Sequence, residues 1–346
     1  MSAQQPAATD RHISFDELAE GIATVLRRAG ASSHVAGIIA RNCASCERDG
    51  ALSHGVFRVP GYVKSLRSGW ADGEASPEVQ RAGDSFIRVN AASGFAQPAL
   101  DAASADIADA IAATGAAVIA IRDAHHHSAL WPDLEPYAEA GLVGLTVVTG
   151  GTSVIPRGAR KKVLGTNPFA FAAPVAGGRP LVMDFATSAM SHGDLQLTAD
   201  AGRDVPIGTG TGRNGRDTEN PREILEEGGL LPFGGHKGMA LSIMVEILAS
   251  GLTGSAFSYR EDLVFAEYAD DGGTSRTGQL VILIDPDRGA GGFADRVAEF
   301  IDALRESGLE RLPADHRYRA RETAEREGIP ATPAILALLE EARGEG

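Results

Sequence analysis

His54 and Arg58 stand four residues apart in the stretch Ser53-His54-Gly55-Val56-Phe57-Arg58. Histidine exchanges protons near neutrality, its ordinary pKa being roughly 6.5. Arginine presents a fixed fork of donors that matches a carboxylate. If the segment coils, the two side chains lie one turn apart on the same side. A carboxylate could then be gripped while a proton reaches the neighbouring atom. A solvent-facing histidine and arginine would leave the same spacing, so the pair needs further support.

A second candidate is Leu231-Pro-Phe-Gly-Gly-His-Lys-Gly238, which runs into the apolar stretch Met239 to Leu248. Glycines let a backbone approach a ligand, a helix start offers unpaired N–H groups, and Lys237 adds charge. That combination reads as an anion cradle; the bland alternative is a loop whose glycines only make a turn. A third candidate is the run His125-His126-His127 next to Ser128, just after the strand-like Ala117 to Ile121. Three adjacent side chains point in different directions, so they cannot all bind one metal. Strand ends in α/β proteins hold ligands, which favours a functional role for one of the three over a solvated loop.

Two familiar motifs match only in letters. Gly210, Gly212 and Gly215 spell G-x-G-x-x-G, but no apolar strand precedes them and no helix start follows, as a dinucleotide turn requires. Cys43 and Cys46 form C-x-x-C without the second pair that zinc needs, so packing explains them better.

The elements that must carry these residues alternate. Helices are expected over Ile13 to Gly30 (capped by Ser14), Ser33 to Arg48, Tyr62 to Leu66, Pro98 to Thr114, Leu134 to Ala140, Gly238 to Ser250 and Asp295 to Glu306. Strands are expected over Phe86 to Val89, Ala117 to Ile121, Val143 to Val148, Pro180 to Phe185 and Leu280 to Asp285. Gly202 to Pro221 reads as an exposed loop. The order says α/β. At 346 residues and 43% hydrophobic, the chain can bury a large core and divide into two lobes. A net charge of −14 argues against nucleic acid. The longest apolar run, Met239 to Leu252, contains Glu246 and is too short for a membrane span, and no targeting signal is visible, so the expected setting is the cytoplasm.

Taken together, the chain resembles the malate/L-lactate dehydrogenase-like oxidoreductases from about Ser14 to about Arg321. The marks are SHGVFRVPGYV (from Ser53), LGTNPFAFAAP (from Leu164), DFATS (from Asp184) and LPFGGHKG (from Leu231). Within that family it is similar to the Δ1-piperideine-2-carboxylate/Δ1-pyrroline-2-carboxylate reductases through NCASCERDG, SGFAQPAL, ALWPDLEPYAEAGL and SHGDLQ. The resemblance implies a three-layer α/β/α arrangement around a mixed, largely antiparallel sheet, binding NAD(P) without a Rossmann turn, with a helical N-terminal region. It implies a flexible leader over 1–12, a helical lobe with the substrate and catalytic residues over 13–115, and an NAD(P)-binding α/β lobe over 116–310. A C-terminal segment, 311–346, would return to the cofactor site.

It also implies roles. His54 would donate the proton, linked with Ser53 and Asp194, and Arg58 with Thr166 would hold a small carboxylate substrate. His126, His127, Ser128, Ala129, Leu130, Asp184, Phe185, Ala186, His236, Lys237 and the stretch Arg311, Leu312, Pro313, Ala314, Asp315, His316, Arg317 would surround the cofactor. NADPH is the implied cofactor, with NADH possible, no metal is required, and the family form is a homodimer. The implied reaction reduces the C=N bond of a cyclic imino acid, giving L-pipecolate or L-proline. The rival is a 2-hydroxy acid dehydrogenase of the malate, lactate or ureidoglycolate kind. One departure bears on specificity: the reductase branch has His-His-Phe-Ala before Ala-Leu-Trp, where this chain has His126-His127-Ser128.

Overall fold

Ser14 and Ser32 start the helical part of the molecule. In the computed structural model, which describes residues 11–265 and 273–344, their hydroxyls accept from Glu17 N and Val35 N. This satisfies first-turn donors of α1 (Phe15–Arg28) and α2 (Ser33–Arg48). Pro60 is accommodated near the start of α3 (Val59–Ser68), where its missing N–H costs nothing. The three pack with α13 (Pro333–Arg343) around Leu18, Ile22, Leu26, Ile39, Tyr62, Ile335 and Leu339. Residues 1–10 of the expected leader lie outside the described residues. His12 belongs to β1 (His12–Ile13), which pairs antiparallel with β12 (Ile329–Pro330).

The main sheet has seven strands: β2 (Glu78–Arg81), β3 (Phe86–Asn90), β4 (Ala116–His125), β5 (Val143–Val148), β6 (Phe169–Ala173), β7 (Leu181–Phe185) and β11 (Arg276–Ile284). Their spatial order is β2-β3-β4-β11-β5-β6-β7. β3 and β4 pair in parallel and every other neighbouring pair is antiparallel. The boundary expected at 115/116 falls between these two parallel neighbours, so the sheet is continuous across it.

Alternation along β4 shows how the layers form. Ile119 and Ile121 face α4 (Ala96–Ala102), α5 (Ser104–Thr114) and α6 (Trp131–Glu139), in a core with Leu100, Ile107 and Leu134. Ala120 faces the other way, toward Val245 and Ala249 of α9 (His236–Glu246) and the π turn that continues it to Gly251. The single helix expected over Pro98 to Thr114 is two, because the chain turns at Ala103.

The stretch expected as one exposed loop, Gly202 to Pro221, is partly structured. β8 (Gly210–Thr211), β9 (Asp217–Thr218) and β10 (Gly229–Leu230) form a small antiparallel sheet, and Thr209 and Thr211 are buried. Gly210 to Gly215 therefore form a hairpin and do not open a helix. α7 (His192–Asp200) and α8 (Pro221–Glu226) pack beside it. The chain is completed by α10 (Ser258–Phe265), α11 (Phe293–Glu306) and α12 (Asp315–Glu327). Cys43 and Cys46 are buried in the cores as free thiols. Among the described residues no helix is long and apolar enough to cross a membrane, and no cluster of potential metal ligands occurs.

Candidate active site

Ser53 to Arg58 coil as two short 3-10 turns, Leu52–His54 and Val56–Arg58, meeting at Gly55. The coil places Ser53 Oγ 2.9 Å from His54 Nδ1. It turns the Arg58 guanidinium toward the end of β4, where Nη1 lies 3.4 Å from His127 Nε2. The His127 ring stands edge-on to Tyr62 at 5.7 Å. The first turn of α7 closes the opposite side: a Cβ on Gly193 would stand 2.5 Å from Arg58 Nη2 and 3.0 Å from Ser53 O. His192 and Asp194 flank that glycine.

The electrostatics of this pocket are one-sided. Burial pushes His54 down to about 3, with Arg58 and His126 adding to the effect. Burial, then Arg58 and Lys162, takes His192 down to about 4. His127 falls well below its ordinary value, again by burial first and then by Arg58 and His54. All three rings are therefore neutral at pH 7 around a half-buried arginine whose buried guanidinium Nε has no hydrogen-bond partner. A buried cation with an unpaired donor suits an anionic ligand. The third member of the expected relay stands apart. Asp194 has an exposed side chain that interacts with Arg58, and no hydrogen bond joins it to Ser53.

The histidine run is divided among three environments. His125 Nδ1 lies 2.8 Å from Thr274 Oγ1, against the ring of Trp70. His126 is buried between Gln97 at 3.1 Å and Asp133 at 3.2 Å. Asp133 also accepts from Gln279 at 3.1 Å and Asn42 at 3.5 Å, and Asn42 is bonded by Ser128. Only His127 reaches the pocket of Arg58.

Three motif segments meet in a second cluster. Thr187 N donates to Thr166 O at 2.9 Å, Phe233 N donates to Thr187 O at 3.0 Å, and Ala189 N donates to Leu231 O at 2.8 Å. Thr166 therefore lies with the DFATS and LPFGGHKG segments, and no hydrogen bond ties it to Arg58. Beside it, Phe185 remains 42% exposed between Phe169 and Phe233. Gly234 and Gly235 take successive positive φ values of 55° and 64°, and α9 begins without a side-chain cap, presenting exposed His236 and Lys237. Gly238 packs so closely on Phe233 O that a Cβ would collide with it.

With that geometry in view, the likeness to known proteins is decisive. The family described as malate/L-lactate dehydrogenase matches residues 13–340. The chain belongs to this family. This member of the malate/L-lactate dehydrogenase family is an oxidoreductase. It is 50% identical over 343 residues to the Δ1-pyrroline-2-carboxylate/Δ1-piperideine-2-carboxylate reductase of Pseudomonas syringae pv. tomato, covering 99% of this chain and 98% of that protein. It is also 50% identical over 345 residues to the reductase of the same name from Pseudomonas putida, covering 99% and 100%. The crystal structure of Δ1-piperideine-2-carboxylate reductase from P. syringae superimposes with a TM-score of 0.91 over 96% of this chain and 99% of that one.

In this family member, several residues expected around the cofactor are bonded within the protein. Asp184 Oδ2 accepts from Leu130 N at 2.8 Å and Trp131 N at 2.9 Å, capping α6. Ala129 and Leu130 are buried, and Ala186 is half-buried beside the exposed Phe185. Arg317 is buried over the Trp131 ring and donates to Val182 O at 3.1 Å. Leu312 and Ala314 are buried, Asp315 accepts from Leu312 N, and Pro313 is exposed. Arg311 and His316 remain exposed, 3.0 Å apart. The rest of the C-terminal segment turns to the helical lobe, where α13 covers α1. The uncapped amides of α9, Lys237 and the bare Phe185 ring fit a ligand carrying phosphate and an aromatic ring.

Glu47 lies inside the NCASCERDG stretch, where no role was expected for it, yet it meets the Ser53–Arg58 segment. Its buried carboxyl accepts from Val56 N at 2.7 Å, so its partner is a backbone group nine residues away. His192 of SHGDLQ and Tyr62 of SHGVFRVPGYV likewise carry no expected role, because their neighbours in the pocket come from distant parts of the chain.

Proposed function

We propose that the protein reduces the C=N bond of cyclic imino acids, Δ1-piperideine-2-carboxylate to L-pipecolate and Δ1-pyrroline-2-carboxylate to L-proline. The observation that carries this reading is the buried, partly unpaired Arg58 guanidinium one turn from the Ser53–His54 pair, in a chain 50% identical to reductases of that name. Arg58 holds the substrate carboxylate, which keeps C2 in one place. A reduced nicotinamide, when bound, would supply the hydride that C2 accepts. As the C=N electron pair moves to nitrogen, that nitrogen takes a proton from His54 Nε2. Ser53 Oγ, donating to Nδ1, keeps the ring proton on Nε2 and can replace the one lost. His54 is neutral at working pH, so it acts through this tautomer.

Asp194, at the exposed mouth, passes protons from solvent by turning its side chain toward Ser53. Thr166 lines the junction between substrate and cofactor. Lys237, His236, the α9 amides and Phe185 hold the nicotinamide nucleotide, with His126, Ser128, Asp184 and Arg317 supporting the wall behind it. NADPH is the preferred form, its 2′-phosphate taken by Arg311 and His316, while Arg317 is already bonded elsewhere. The binding mode is non-Rossmann, since the Gly210–Gly215 hairpin lacks a helix at its end. A homodimer acting in the cytoplasm completes the reading. Its support is the uncovered apolar face of Ile243, Met244 and Ile247.

The test is oxidation of NADPH and of NADH, followed separately with Δ1-piperideine-2-carboxylate, Δ1-pyrroline-2-carboxylate, oxaloacetate and pyruvate. Faster turnover of either imino acid with NADPH supports the proposal. Turnover of the keto acids alone would replace it with a 2-hydroxy acid dehydrogenase.

A further inference from the structure

Each of the two 3-10 turns that carry Ser53, His54 and Arg58 is three residues long, and neither has a side-chain cap. Such short turns hold their shape poorly unless something outside them fixes the backbone. Three of their amides bond within the segment: His54 N to Ala51 O, Gly55 N to Leu52 O and Arg58 N to Gly55 O, at 2.9, 3.3 and 2.9 Å. The amide at the junction does not. Val56 N donates out of the segment to Glu47 Oε1 on α2, at 2.7 Å.

The same carboxyl lies flat on Gly55, where any Cβ would collide with its Oε1. Glu47 therefore grips the junction twice, by a hydrogen bond and by packing. On the far side Gly193 presses on Ser53 O and Arg58. The orientation of His54 relative to Arg58 depends on the angle at this junction.

We propose that Glu47 is a positioning residue for the reduction, its carboxyl oxygen fixing the Gly55–Val56 junction so that His54 and Arg58 address the same ligand. It touches neither substrate nor cofactor. Burial pushes its own carboxyl up to about 7, and the titratable side chain that interacts with it is the buried Cys43 thiol, one turn back on α2. The acceptor role needs no charge, since a protonated carboxyl or an amide keeps a carbonyl oxygen.

The inference rests on the imino acid reading, and the experiment separates the two. Glu47→Gln, Glu47→Ala and Glu47→Met are compared with the wild type, the methionine filling the space without a good acceptor. Kinetics are measured with whichever of the imino and keto acids the wild type reduces. Binding of pyrrole-2-carboxylate, a flat ring carboxylate that cannot take hydride, is measured by calorimetry. Glu47→Ala and Glu47→Met are expected to lose about a hundredfold in kcat/KM and to bind pyrrole-2-carboxylate more weakly, because a small misplacement of both groups is enough. Glu47→Gln should retain activity within about fivefold, and nucleotide affinity should stay within about twofold in every variant.

A wild type that reduces only keto acids would remove the imino acid reading but leave these ratios measurable. Glu47→Met with kcat/KM within about threefold of wild type would overturn the proposal. So would equal loss in Glu47→Gln and Glu47→Met, or parallel loss of nucleotide binding.

Discussion

The Ser53–Arg58 segment and the Gly234–Lys237 loop are both glycine-hinged, and they are built in opposite ways. The first is enclosed between α2 and α7, with its junction amide bonded to a buried carboxyl and Gly55 in contact on one side. The second stands in solvent: a Cβ on Gly234 or Gly235 would meet nothing within 4 Å, and α9 begins uncapped. Groups that hold a reacting atom need fixed positions, and an enclosed backbone supplies them. Groups that hold phosphate need free donors, and an open helix start supplies those.

Breaking the enclosed side should have the largest effect. His54→Ala is expected to lower kcat by about 10²- to 10⁴-fold while leaving nucleotide affinity unchanged, in steady-state kinetics with calorimetric binding. Unchanged kcat would remove His54 from the chemistry. Gly55→Ala should come next, destabilising the fold by about 1–3 kcal/mol in urea melts, because a methyl group must displace the Glu47 carboxyl. Gly234→Ala should cost about 1 kcal/mol, from backbone strain at positive φ alone. Equal effects would erase the contrast between the two hinges. Lys237→Ala should weaken nucleotide binding by about tenfold or less, with the difference shrinking as salt is raised.

The smallest effect at neutrality concerns the proton balance of the histidines and carboxyls that burial shifts. His54, His125, His127 and His192 all have folded pKa values below the ordinary histidine value. Between pH 6.5 and about 4 the unfolded chain binds protons that the folded chain refuses, so these groups make stability fall as pH falls. Glu47, raised to about 7, and Asp184, also raised, work the other way over the same range. The lowered imidazoles, with His316 among them, outnumber the raised carboxyls, so unfolding takes up protons near pH 5. Melting temperature should therefore drop between pH 7 and pH 5; a rise would mean that the carboxyls dominate.

The two regions were not equally legible in the sequence. α2 was read to its ends, and α1 to within a residue or two, because caps and apolar spacing are local signals. β2, with the polar sequence EVQR at the sheet edge, and α12, DHRYRARETAERE, carry almost no apolar period and escaped notice. At the site, Ser53, His54 and Arg58 could be found because their partners lie within one turn. Glu47 could not, since its partner is a main-chain group. The histidine run showed only that three rings must diverge. Which one faces Arg58 depends on how β4 ends against α6 and α3, and that is a tertiary fact.

The clasp between α1 and α13 bears on how the protein is made. Leu339 of α13 fits over Gly21 of α1, and Ile329 pairs with Ile13. During synthesis α1 emerges well before α13, the helix that covers its apolar face. The helical core therefore cannot close until α13 has been released, while the sheet strands from β2 to β11 are already available to pair. Until then the early helices would need shelter from aggregation, and ribosomes stalled before residue 333 should hold a protease-sensitive α1.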